Sequence, residues 1–422
     1  MAETLTPNLS RPYGLRRAGS GTAADIVAAV AMALLLAWNG LFIRVLIGNG
    51  QFGDFGKFYQ SAMAWRAGGD MYWADAAHTV PHAWNGHANL NPPHATVLVL
   101  PFTRFPPLAA LGLWAAVSTI CLGASLVVIK RELRVAPDFT EIRNIAVLML
   151  AFVGTTAVLA TGQSAWMLTL PMTLAWKWAR THRWILAGIA VGACLSVKPF
   201  LLVFLLYFVL RRRWGALVAA AGTAAACFLA GLLLFGVAAH RSWLDALGST
   251  EWAGHQMNAS LLGALARLFD RSTDFAALYD LGPDWVGRLW LFGSALVGAT
   301  TLFAAVRRGD GTEAIDRSFA LLTIAALLIS PLGWVYYLWL LAGPMAARFL
   351  AARREPRDRI SIMLFRVAVV GFIWPFGTAV LGQPNSVATV TIGSVYFWAL
   401  MTLWVGVLWP TNDRRLEQPY RQ

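Results

Sequence analysis

Charge is what this sequence has least of. Asp, Glu, Lys and Arg together make up 13% of its 422 residues, about half the share carried by an ordinary soluble domain. Hydrophobic residues reach 58%, the mean hydropathy is +0.58, and apolar runs recur from residue 26 to residue 408. No soluble stretch is left that is large enough to enclose a core of its own. Cysteine is nearly absent: Cys121, Cys194 and Cys227 are the only three. All lie in apolar runs without CxxC or Cys/His spacing, which excludes a disulfide framework and a zinc site. Neither a GxxxxGK[ST] loop nor a dinucleotide-binding glycine pattern occurs, and no internal repeat is visible between the two halves of the chain. Negative charge is the scarcer sign, with 21 Asp and Glu against 34 Lys and Arg and a net charge of +13. In a soluble protein that excess would suggest nucleic acid. In so apolar a chain it points to retained cytoplasmic loops and anionic lipid instead, and nucleic-acid binding is excluded as a role.

What the sequence does have is membrane-length hydrophobicity. The run from Ile26 to Ile47 follows Arg16 and Arg17. It is too long for a cleaved signal and lacks a small-x-small exit, so it is expected to be a signal anchor with residues 1–24 as a cytoplasmic tail. Further apolar segments give about 12 or 13 membrane elements in all. The short basic loops Lys130–Arg143, Lys177–Arg183, Arg211–Arg213, Arg307–Arg317 and Arg348–Arg359, with a tail over 409–422, are expected on the cytoplasmic side. The fold class is therefore all-α, one polytopic integral membrane unit over residues 1–422. Two details follow. The stretch from Trp184 to Leu210 has basic residues at both ends and must enter and return as a hairpin with Lys198 and Pro199 at its tip, each half shorter than the roughly 20 residues of a full span. Residues 92–104 and 108–129 must together make one net crossing, the first half being a short re-entrant piece.

Two long segments, 48–93 and 239–284, are then left on the outer side, far beyond ordinary connection lengths and so expected to be functional. In the first, Phe55, Phe58, Tyr59, Ala62 and Trp65 recur at helical spacing before Gly68-Gly69, which predicts an amphipathic helix lying along the outer interface. Asp54 opens that helix. Such an Asp is commonly an N-cap whose carboxylate accepts from free amides; among Phe52, Phe55, Phe58 and Tyr59 it is also a partly desolvated proton acceptor, and both roles can coexist. The second segment carries His240, Asp245, Glu251, His255 and Asn258, either an acceptor lid or a solvated connector.

The blocks GDFGKFYQSAMAWRAGGDMY, NLNPPHATVLVLPFTRFPPLAALGLW, TGQSAWMLTLPMTLAWKW with LAGIAVGACLSVKPFLLVF, MNASLLGALARL and SPLGWVYYLWLL, in that order over roughly residues 50–350, resemble glycosyltransferase family 87. The resemblance implies the GT-C membrane fold. It also implies transfer of mannose, or in some relatives arabinose, from a polyprenyl monophosphate carrier to a lipid-linked or glycan acceptor at the outer face of a bacterial inner membrane. It implies that Asp54 is the catalytic base.

The chemistry agrees with the residues available. A sugar phosphate leaves as a stable anion and needs no proton, so one base suffices: Asp54 would deprotonate the acceptor hydroxyl as it attacks the anomeric carbon opposite the phosphate, with inversion. The leaving phosphate needs positive charge, for which Lys198 is the first candidate and Arg267 the second. Lys198 at a helix end has the alternative of snorkelling to the interface. Candidate substrate contacts are Tyr59, Asn91, His94, Gln163, Asn258, Trp334 and Tyr337. Asn91 and Gln163 suit sugar hydroxyls but also suit turns, and the aromatics suit sugar faces or a lipid groove but also helix packing. Some relatives have a histidine where this chain offers Trp334, Tyr336 and Tyr337, so that contact is not carried over. No metal-ligand spacing surrounds His87 or His94, and neither a metal nor a cofactor is expected beyond the lipid-linked donor as co-substrate. The alternative is a transporter or flippase of lipid-linked sugars, which usually shows related halves and a midplane site.

Overall fold

A computed structural model describes residues 22–48, 50, 52–73, 89–248, 252–271, 277–307, 309–354, 359–375 and 387–409. Six helical stretches in it are long and apolar enough to cross a membrane, or seven if the pair Phe139–Ala151 and Val153–Thr161, bent by 57°, is one span. The remaining expected elements are shorter helices. Residues 93–104, expected to be re-entrant, form two 3₁₀ turns, Pro93–Leu98 and Leu100–Arg104, that lead into the helix proper at Pro107. Proline at 93, 101, 106 and 107 removes the amides an α-helix would need there.

The helices are α1 (Thr22–Gly48), α2 (Gly53–Arg66), α3 (Pro107–Glu132), α4 (Phe139–Ala151), α5 (Val153–Thr161), α6 (Ala165–Arg180), α7 (Trp184–Val197), α8 (Val203–Leu210), α9 (Trp214–Gly248), α10 (Leu261–Phe269), α11 (Pro283–Val306), α12 (Thr312–Ile329), α13 (Ala342–Arg354), α14 (Arg359–Phe372), α15 (Val387–Val390) and α16 (Val395–Leu408). Ionic contacts cluster at one end of the bundle. Arg180 at the end of α6 pairs with Asp316 at the start of α12 and, at 3.0 Å, with Glu132 at the end of α3; the Trp176 indole donates to Asp316 at 2.7 Å. Arg211 and Arg213 after α8 pair with Asp310 before α12, and Arg143 at the start of α4 pairs with Asp25 at the start of α1. Arg317 of α12 donates at 2.6 Å to the carbonyls of Leu408 and Trp409, at the end of α16. This is the end at which the basic loops gather.

The helix α12 is buried along nearly its whole length, from Ile315 to Leu328. The expected hairpin is present. Trp184 opens α7, and the Arg213 guanidinium just beyond α8 lies 4.6 Å over its ring, so the two halves start and finish together with Lys198 at the turn. A third helix locks the hairpin in place. Gly188 and Gly192 of α7 face Ala216 and Ala220 of α9, and a methyl added at either glycine would fall 2.3 or 2.4 Å from a main-chain oxygen of α9. Both contacts advance by four residues in the same direction, so α7 and α9 run parallel at a small-residue seam of the kind that brings membrane helices together. α9 itself continues past the expected end of its span to Gly248, broken at Gly236 where φ is 77°. His240 and Asp245, expected in a loop, are therefore helical. α2 buries Phe55, Phe58, Tyr59 and Ala62 against protein rather than lying with an apolar face outward.

Because the seam fixes the height of the hairpin tip, Gly192→Leu is expected to cost about 1–3 kcal/mol and lower the thermal midpoint measured in detergent. Gly123→Leu, at a site with nothing within 4 Å, should leave the midpoint unchanged.

Candidate active site

Several breaks in the helices at the end opposite the ionic cluster meet around one carboxylate. The chain leaves α1, passes through positive φ at Phe52 and Gly53, and starts α2. A side chain at Gly53 would press within 2.8 Å of the Thr161 carbonyl, and one at Gly162, also at positive φ, within 2.7 Å of the Phe55 Cβ. Two residues without Cβ thus let the start of α2 interlock with the turn between α5 and α6. The Trp114 indole closes that junction by donating to the Gly162 carbonyl at 2.9 Å.

The residue after each glycine then meets the other. Gln163 Nε2 donates to Asp54 Oδ2 at 2.7 Å and lies 3.1 Å from the Tyr336 hydroxyl. Lys57, one turn along α2, pairs with Asp54 Oδ1 at 2.9 Å, and its ammonium sits 5.5 Å over the Trp252 ring. The first turn of α2 is not capped by any side chain, so Asp54 is not its N-cap; the carboxylate faces the site and retains 22% of its side-chain surface.

Lys198, in extended backbone between α7 and the 3₁₀ turn Pro199–Leu202, donates to Asn91 Oδ1 at 2.6 Å and stands 5.0 Å over the Tyr337 ring. Asn91 is held from behind by Asn89, whose Oδ1 accepts from its amide N–H and its Nδ2, while the Tyr72 hydroxyl donates to its carbonyl at 2.8 Å. The Lys198 charge acts on Asp54, and the Asp54 charge in turn on His255. The ring of Trp334 stacks on Tyr336 at 6.1 Å and meets His255 edge-on at 5.4 Å. Burial, reinforced by the nearby Arg267 cation, pushes His255 down to about 4 and keeps it neutral near pH 7. The site therefore offers one oriented, partly exposed carboxylate, two ammonium groups, an amide and an aromatic wall. Among the described residues no group of three His, Cys, Asp or Glu could hold a metal ion.

Of the residues singled out in the sequence, Asp54, Asn91, Gln163, Lys198, Trp334 and Tyr337 come together. Four others do not join them. The Tyr59 hydroxyl donates to the Phe105 carbonyl at 2.8 Å, on the far side of α2. His94 Nε2 bonds the Ser196 carbonyl at 2.7 Å and braces the end of α7. Asn258 is fully buried, with Nδ2 donating to the carbonyls of Ala253 and Pro331 and Oδ1 accepting from Ser260 and Gly333, so it has no polar atom left for a sugar. Arg267 is buried and spends its donors on the Ser394 hydroxyl and the carbonyls of His255 and Asn258, which leaves it no face for a phosphate. Asn258 holds its segment against residues 331–335, where it pairs antiparallel with Trp334, and Arg267 ties the same segment to Ser394. Two site residues were not singled out. Lys57 follows Asp54 at the i,i+3 spacing of helix ion pairs, a signal the sequence does carry. His255 had been grouped only with a loop.

A family model for glycosyltransferase family 87 matches residues 89–331, more than half of the chain. That stretch holds Asn91, Gln163 and Lys198 and stops short of Asp54 and of Trp334. The chain is 32% identical over 178 residues to a polyprenol-phosphate-mannose-dependent alpha-(1-2)-phosphatidylinositol mannoside mannosyltransferase of Mycolicibacterium smegmatis, covering 40% of this chain and 38% of that protein. It is 30% identical over 194 residues to a protein of the same description from Mycobacterium tuberculosis, covering 44% and 42%. The matches thus span about two fifths of these relatives. No solved structure matches.

Arg267→Met strips the buried carbonyls of Asn258 and His255 of a donor. It is expected to cost about 2–3 kcal/mol of stability and to lower the thermal midpoint equally with and without a lipid phosphate. A drop seen only in binding would return Arg267 to the phosphate site.

Proposed function

The chain belongs to glycosyltransferase family 87, and from that premise we propose that it transfers a hexose, mannose in the first instance, from a polyprenyl-phosphate carrier to a lipid-linked or glycan acceptor. The observation that carries the reading is the Asp54 carboxylate, oriented by Gln163 and flanked by two lysines at one end of an apolar bundle. The relatives are described as polyprenol-phosphate-mannose-dependent and act on phosphatidylinositol mannosides, which supports a lipid-linked donor and a glycolipid acceptor.

In this reading the acceptor hydroxyl approaches Asp54, which takes its proton as the oxygen bonds to the anomeric carbon. The bond from that carbon to the phosphate oxygen breaks on the opposite side, its electron pair leaves with the phosphate, and configuration inverts. Lys198 meets the growing phosphate charge. A neutral amide is its only hydrogen-bond acceptor among the described residues, Asn91 Oδ1 at 2.6 Å, and an anion at that tip would offset the cost of holding a cation so near the apolar layer. Trp334 and Tyr336 offer ring faces on which a sugar can stack. The basic loops at the Arg180 end support a cytoplasmic side for that end and an outer side for Asp54, in keeping with a donor presented on the outer face of a bacterial inner membrane.

Two measurements test the proposal. With radiolabelled polyprenyl-phosphate-mannose and a membrane lipid extract, Asp54→Asn should stay folded, because Gln163 can still bond it, yet lose transfer by a factor of about a thousand or more. Transfer near the wild-type rate would remove Asp54 from the chemistry. Lys198→Met should slow transfer by roughly 10- to 100-fold with weaker apparent donor affinity, and Lys198→Arg should keep part of the activity. Unaltered donor affinity in Lys198→Met would leave that lysine a packing role only.

A further inference from the structure

Lys57 has no part in the reaction described so far, yet it is the closest cation to the proposed base. Its ammonium is 2.9 Å from Asp54 Oδ1, its side chain is 15% exposed, and it also lies 5.5 Å over the face of Trp252. An ammonium in that position holds a carboxylate in its charged form but also lowers its appetite for a proton, so a base so paired is a poor one. The same ammonium lies on the side of Asp54 away from the amide of Gln163, and a cation–aromatic contact is weak enough for the lysine stem to move along the ring.

The anion that would draw it off is supplied by the donor. A polyprenyl-phosphate sugar is a diester with one negative charge; when the bond to the anomeric carbon breaks, the departing monoester carries two. A cation that contacts this phosphate is worth more at the transition state than before it. Lys198 supplies one such contact, from the hairpin tip. Lys57 stands on another element, α2, and would complete a two-sided clamp.

We infer that Lys57 is a second ligand for the donor phosphate, and that its bond to Asp54 in the empty site is a latch that the donor opens. The inference rests on Asp54 being the base. With the donor bound, Lys57 leaves Oδ1 for a phosphate oxygen, Asp54 keeps only its Gln163 bond, and the carboxylate regains its basicity beside the sugar it is to serve. The proton from the acceptor hydroxyl then ends on Asp54 and passes to water when the products leave; the electron pair of the broken bond ends on the phosphate, between the two lysines. The acceptor hydroxyl is activated only after the donor is in place, so the donor binds first. Among the described residues the other charged or titratable groups facing Asp54 are Lys198 from the hairpin tip, His255 from the segment before α10, and Tyr336 and Tyr337 from the turn before α13. None of these bonds Asp54 directly.

A binding cycle on the full-length protein in nanodiscs tests the latch, with undecaprenyl monophosphate, the donor's lipid phosphate without its sugar, as the probe. Lys57→Met is expected to bind it about tenfold more weakly. Asp54→Asn, which frees Lys57, should bind it several-fold more tightly than wild type, and that gain should vanish in the double variant, because the two residues are coupled through one bond. If the gain of Asp54→Asn persists undiminished beside Lys57→Met, it is simple charge repulsion and the latch is wrong. Undiminished binding by Lys57→Met overturns the inference equally. Lys57→Gln, which keeps a hydrogen bond to Asp54 without the charge, stands in should the methionine variant misfold, and Lys57→Arg should retain binding. Transfer assays separate the two readings: an active Asp54→Asn sinks the base itself, whereas an inactive one with an uncoupled cycle sinks only the latch.

Discussion

In hydrocarbon a peptide group without a partner costs several kcal/mol, so a chain this apolar can interrupt its helices only where something else takes over the hydrogen bonds. The interruptions of this bundle are gathered accordingly. At one end, breaks at Phe52 and Gly53, at Gly162, at Lys198, at residues 255–260 and at residues 330–335 all face one another. Their freed groups are taken up by the Trp114 indole, by Asn258, by Arg267 and by a short antiparallel pairing between 257–259 and 333–335. The candidate site is what these breaks leave open: the residues just beyond the breaks are the ones with side chains free to act. Asp54, Gln163, Lys198 and Tyr336 hold that position.

The coarse plan was legible in the sequence because it depends on length and charge alone. Apolar runs and basic loops sort the chain into a bundle with one ionic end, and the hairpin with Lys198 at its turn follows from two short runs flanked by arginine. Asp54 was legible as a candidate but not in its role at the helix start. α2 starts one residue before Asp54, with Phe52 at the cap position, and the partner that orients the carboxylate, Gln163, is 109 positions away. Asn258 and Arg267 misled for the same reason. A buried amide or guanidinium is as well suited to main-chain carbonyls as to a sugar or phosphate; Asn258 finds one of its carbonyls at Pro331, 73 residues on, and Arg267, which bonds the carbonyls of His255 and Asn258, is enclosed with Ser394, 127 residues on. The parallel seam of α7 and α9 could have been suspected from glycines four residues apart in LAGIAVGACL, but its partner Ala216 and Ala220 could not.

Family membership and the site geometry bear on different parts of the chain. The matched stretch runs from residue 89 to residue 331 and supplies the lysine and the two amides that surround the carboxylate. The carboxylate itself comes from before it and the aromatic wall from after it. This wall is built of Trp334, Tyr336 and Tyr337, with a neutral His255 brought against Trp334 from another segment.

The ionic end has a consequence in time as well as in space. Arg180 can meet Glu132 as soon as α6 has been made, but its second carboxylate, Asp316, is 136 residues further on, and the carbonyls that receive Arg317 belong to Leu408 and Trp409. α12 carries both of these charges into the most enclosed position in the bundle. During synthesis the earlier helices must therefore wait, partly open, until α12 has entered, and α12 must wait for α16. A chain stopped before residue 408 would bring the Arg317 guanidinium into that enclosed position without the two carbonyls that receive it.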